Sequence, residues 1–149
     1  MKNRKPYLYQ PKPKWIPVQT QLQKLLKDYP GTTYQVSTDG IYSWFWDCKP
    51  TPCSIAYKIR IEFGEGYIPR VQVVHPKPLS KPPGVKVYEH INHPQHLQYL
   101  CLHLPNEWKG HMLIADTLVP WTSEWLYSYE VWVETGVWTG EGHRRETHN

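Results

Sequence analysis

The chain has 149 residues, enough for one domain that can bury a core without disulfides or metal. Hydrophobic residues make up 40% of it, with 8 Trp and 11 Tyr, which excludes a natively unfolded chain and predicts an aromatic-rich core. Net charge is only +4, with no nucleic-acid-binding signature, no apolar signal segment and no run near 18 apolar residues; a cytoplasmic protein with no membrane partner and no direct nucleic-acid binding is expected.

Residues 1–14 carry Lys2, Arg4, Lys5, Lys12 and Lys14 ahead of the first acid, Asp28, and read as a basic, flexible arm. Residues 15–140 read as one domain and 141–149 as a polar tail. "WIPVQTQLQKLLKDYPG" predicts a helix: Val18, Leu22, Leu25, Leu26 and Tyr29 form one apolar stripe, Pro17 suits its first turn, and Pro30-Gly31 stops it. Strands follow. "TTYQVS" leads through a "TDG" turn into "IYSWFW". "SIAYKIRIEF" sets Ile55, Tyr57, Ile59, Ile61 and Phe63 against Ala56, Lys58, Arg60 and Glu62, the alternation of a half-buried antiparallel strand. After "GEG", the short run "RVQVV" is the fourth strand of a meander. Cys48 and Cys53, in "CKPTPC", could pair on oxidation; an odd total of three cysteines instead fits two thiols in a reducing compartment.

Residues 75–110 lack periodicity, are rich in Pro and His, and are too apolar to be disordered; such a segment inside a domain is usually functional. It holds Cys101 in "LQYLCLHLPNEW". On local sequence alone this cysteine is either a small buried apolar residue or a thiol held open for covalent chemistry. His90, His93, His96 and His103 surround it, but their spacing fits neither one helix face nor one strand face and no second cysteine is near, so no metal and no cofactor is expected. No signature of a cysteine hydrolase and no phosphate-binding glycine motif is present. "HMLIADTLV" predicts a helix that Pro120 kinks or restarts, and "WTSEWLYSYEVWVET" predicts a second that stops at Gly136, with Trp121, Trp125, Tyr129 and Trp132 on one face. Together these elements predict an α+β domain with helices segregated from an antiparallel sheet.

This order resembles that of the ubiquitin-conjugating enzymes: one helix, a four-stranded meander, an extended arm bearing the catalytic cysteine, then a crossing helix. His93-Pro94, "LCL" at 100–102, Trp108 and "GYIPRVQV" match the family's motifs. "PTP" at 50–52, "EW" and the run "IADTLVPWTSEWLYSYEVWVETGVW" are similar to the stand-alone conjugating enzymes of bacterial cyclic-oligonucleotide-based antiphage signalling systems (CBASS), over residues 15–140.

The resemblance implies a ubiquitin-conjugating-enzyme-like fold and a transferase. Cys101 would be the nucleophile, forming a thioester with the C-terminus of a cGAS-like cyclic-oligonucleotide synthase and passing it to a lysine, thereby priming the synthase. His93 would support the arm structurally. Gln95 stands where the family has Asn, the same amide one methylene shorter; Gln95 and Asn106 are the candidate amides for the oxyanion. His96 and His103 are possible proton acceptors. The alternative is a non-catalytic scaffold on the same fold that only binds the synthase.

Overall fold

A computed structural model describes residues 14–92 and 97–140. The expected basic arm (but for Lys14) and polar tail, and with them His93, Gln95 and His96, lie outside the described residues.

Helix α1 spans Val18–Asp28. Four strands then run β1 Thr33–Val36, β2 Tyr42–Cys48, β3 Tyr57–Gly64 and β4 Tyr67–His75, each antiparallel to the last. Two further strands of two residues, β5 Ile91–Asn92 and β6 Tyr99–Leu100, extend the sheet to the order β1-β2-β3-β4-β6-β5. A single 3-10 turn at Ile114–Asp116 precedes helix α2, Leu118–Thr135.

The register explains why the sheet has one polar face and one apolar, dry face. Trp44 sits opposite Ile61 and Ile61 opposite Val71; Trp46 sits opposite Ile59 and Ile59 opposite Val73. These rows join Leu22 and Leu25 of α1 and Leu118, Trp125, Leu126, Tyr129 and Trp132 of α2 in one core. Residues one step along, Ser43, Arg60, Glu62, Arg70 and Gln72, occupy the other face by strand alternation. Burying an apolar side chain such as Ile59 or Leu25 contributes about 1.5–3 kcal/mol, so the dry face and the helices that cover it hold the domain together.

Three details differ from the sequence reading. Strand β3 begins at Tyr57, and Ile55, expected on its buried side, is exposed in the preceding loop. "HMLIADTLV" is not a helix: only Ile114–Asp116 makes a 3-10 turn, so α2 stands alone where two C-terminal helices were expected. Pro120 neither kinks nor restarts α2, because it is the third helical residue, where a backbone N–H has no intrahelical acceptor to lose. The helix continues through it, Trp121 N–H donating to Thr117 O at 2.9 Å. It ends at Gly136, whose φ of 79° is the left-handed cap the sequence called for.

Gln21 and Gln98 are buried polar residues that periodicity gave no reason to place inside. The Gln21 amide donates to Met112 O and accepts from Ile114 N–H, both at 2.9 Å, fastening the irregular stretch before α2 to α1. Its burial is repaid because both ends of the amide find backbone partners.

Candidate active site

Cys101 is the first residue after β6. Its flanking residues alternate: Leu100 and Leu102 are buried anchors, while Cys101 and His103 are half-buried and line a groove. The groove has a volume of about 340 Å³. Its walls are Ile68, Pro69, Arg70 and Val71 from β4, the arm from Tyr99 to Pro105, and Leu118 at the start of α2.

Several side chains fix the backbone on either side of the cysteine. Cys101 N–H donates to His90 O at 2.9 Å, and the Trp125 indole N–H donates to the same carbonyl at 3.2 Å, so α2 and the arm meet on one oxygen. Trp138, just past α2, lies 4.7 Å from the His90 ring and 5.2 Å from Trp125, centroid to centroid, and closes this aromatic support. Gln98 is 1% exposed. Its amide nitrogen donates to Val73 O and Pro76 O, each at 3.1 Å, and its amide oxygen accepts from Leu79 N–H at 2.5 Å. On the other face of the sheet, the Gln72 amide donates to Leu97 O at 2.9 Å. His90 and Gln98, with φ of 54° and 56°, take the left-handed conformation that non-glycine residues rarely adopt, and these clamps hold them there.

After the cysteine the chain turns tightly. Leu104 N–H donates to Glu107 Oε1 at 2.7 Å, Glu107 N–H donates to Leu104 O at 3.0 Å, and buried Trp108 donates from its indole to Thr117 Oγ1 at 3.1 Å. His103 Nδ1 is 2.8 Å from Leu104 O, which fits a proton on Nδ1 donated to that carbonyl. Asn106 is exposed in this turn and is not a wall of the groove. Of the residues singled out from sequence, then, Cys101 and His103 share the groove and Asn106 does not, while His93 and Gln95 lie outside the described residues.

Sequence reasoning missed Arg70, Gln98 and Trp125 as parts of this site. Arg70 lies in the quoted run "GYIPRVQV", but only the register of β4 against β6 brings it to the arm. The other two cysteines stand apart in character. Cys48 is buried at the end of β2, and burial pushes its thiol up to about 11, whereas Cys53 is exposed in the loop; neither is in a disulfide. Among the described residues no cluster of three His, Cys, Asp or Glu side chains could hold a metal ion, and no helix is long and apolar enough to cross a membrane.

No curated protein matches the chain significantly. A family described as Type II CBASS E2 protein matches it over residues 21–146, which takes in α1 but for its first three residues, the six strands, α2 and the groove. The chain therefore belongs to the type II CBASS E2 proteins, conjugating-enzyme-like proteins of antiphage defence.

Proposed function

We propose that residues 15–140 form a cytoplasmic acyl transferase whose nucleophile is Cys101. The donor is the C-terminus of the cGAS-like cyclic-oligonucleotide synthase of the same defence system, and the acceptor is a lysine amine. The Cys101 thiolate attacks the carbonyl carbon of the activated chain end; an S–C bond forms and the activating group leaves with its electron pair. A deprotonated lysine amine then attacks the same carbon, the Cys101 thiolate departs, and an amide remains. The transfer primes the synthase. The observation that carries this reading is the placement of the Cys101 side chain, half-buried on a groove wall, between two buried leucines and on a backbone tied to β5, β4 and α2.

The groove suits an extended chain end. Its walls are mostly apolar, and the anchored arm holds the sulfur in place while the donor moves. His103 is on the same groove wall and takes the proton of the incoming amine in this reading. Asn106 is exposed and off the groove, which leaves Gln95 as the side-chain amide assigned to the oxyanion, with His93 supporting the arm. Removing a donor of this kind costs about 10²–10³ in rate. A single-turnover chase tests the two steps: synthase-loaded protein is mixed with a lysine-bearing acceptor. The expected result is loss of the loaded species with matching growth of a hydroxylamine-resistant amide. A loaded species that neither transfers nor yields to hydroxylamine contradicts it and points to the scaffold reading.

A further inference from the structure

Among the described residues lining the groove, Arg70 is the only Asp, Glu, Lys or Arg side chain; the remaining walls are apolar apart from Tyr99, Cys101 and His103. Its position follows from register. β4 and β6 are antiparallel with Gln72 opposite Tyr99, so Arg70, two residues before Gln72, stands on the same face of β4 toward the end of β6, and it lines the groove together with Cys101.

The guanidinium is held but not used up. Arg70 Nη2 is 3.1 Å from Glu62 Oε1, and the group lies 4.2 Å above the Tyr99 ring. Glu62 is 9% exposed, lies opposite Arg70 in the sheet, and also takes Arg60 Nη2 at 2.9 Å on its other oxygen. The Arg70 side chain is 49% exposed. Glu62 thus has two cations for one charge, and an arginine with five donors in a rigid fork has capacity left for a second carboxylate.

We infer that Arg70 reads an acidic side chain lying shortly before the C-terminal residue of the chain that acylates Cys101. This rests on the acyl-transfer reading above. A side-chain carboxylate is the source required, because the terminal carbonyl is consumed in the bond to sulfur and offers no charge there. The groove holds a thiol and an oriented cation among apolar walls. It takes an apolar extended segment whose acid meets Arg70 while its end meets Cys101. The pairing sets which tails are loaded, and with it specificity for the donor.

The test uses short apolar peptides as C-terminal thioesters, with Glu, Gln or Lys at each of the three positions before the last residue, and follows S-acylation of the full-length protein by intact mass. At one position the Glu peptide reacts roughly fivefold faster than the Gln peptide, as befits a partly exposed charge pair, and the Lys peptide is slowest. Arg70→Gln removes the difference, Arg70→Lys keeps part of it, and Arg70→Glu reverses it in favour of Lys; thermal melts confirm that each variant is folded. Equal rates for Glu and Gln at all three positions, or a preference that survives Arg70→Gln, overturn the inference. The same sequences as unreactive C-terminal amides are titrated against Cys101→Ala by fluorescence anisotropy. A Glu preference in binding without acylation of the wild type defeats the transfer reading and leaves Arg70's role standing. Acylation with no preference in either assay does the reverse.

Discussion

The meander β1–β4 and the arm from residue 76 to residue 113 are held by different forces. In the meander, backbone ladders align apolar rows such as Trp44–Ile61–Val71, and the hydrophobic effect does the rest. In the arm, most of the tethers are single side chains bonded to backbone: Gln98 to Val73, Pro76 and Leu79, Gln72 to Leu97, Trp125 to His90, Tyr129 to Ser80 at 2.8 Å, and Tyr88 to Leu79. A segment whose ladder among the described residues is only the two-residue pairing of β5 and β6 still has to satisfy its other buried N–H and C=O groups, and side-chain amides, phenols and indoles do so here. The part carrying the thiol is thus positioned by polar contacts that can be removed one at a time, while the scaffold fails as a unit.

The largest effect separates the two regions at once. Trp44→Ala removes a fully buried ring packed on Tyr29 at 5.7 Å and should cost about 3–5 kcal/mol by chemical denaturation, lowering protection from hydrogen exchange throughout the sheet. Gln98→Ala leaves Val73 O, Pro76 O and Leu79 N–H without their partner and should cost about 2–3 kcal/mol. Here exchange should rise in residues 76–79 and 97–102 while β2 and β3 stay protected. Loss of protection spread evenly over both regions would erase the distinction.

Raising pH acts on the scaffold. Burial raises Cys48 to about 11 and Tyr129 to about 12, and burial together with Glu130 raises Tyr57 further. Between the unfolded and folded values the unfolded chain has lost protons that the folded chain keeps. Stability is therefore full below about pH 8.5 and falls by up to about 1.4 kcal/mol per pH unit per group above it. Denaturation midpoints from pH 8 to 11 should show this fall, and Cys48→Val should make its first part shallower. The smallest effect is Trp125→Phe, which keeps the ring but removes the indole donor to His90 O. About 1 kcal/mol and faster alkylation of Cys101, with β2–β3 exchange unchanged, are expected.

The same contrast governs what could be read from the sequence. Ile59, Ile61 and Phe63 announce β3 because alternation is a local signal, and the α1 stripe is equally plain. The two-residue strands β5 and β6 are too short to carry a period, and their pairing depends on Gln72 meeting Tyr99 across 26 intervening residues. Leu113 and Ile114 read as helix because apolar content does not distinguish a 3-10 turn pinned by Gln21 from an α-helix. Within the site, Cys101 is conspicuous in its apolar run, and His103 is near it by chain connectivity. Arg70 and Gln98 are not legible: one reaches the groove through sheet register, and the other looks like any surface glutamine until its three backbone partners are in place.

The most direct measurement is the intact mass of the protein after incubation with the synthase of its own defence system carrying its C-terminus activated as a thioester, for wild type, Cys101→Ala and Cys101→Ser. A covalent adduct on the wild type that thiol reductant removes, none on the alanine variant and a reductant-stable ester on the serine variant is the expected result; an adduct of the same mass on Cys101→Ala would contradict it.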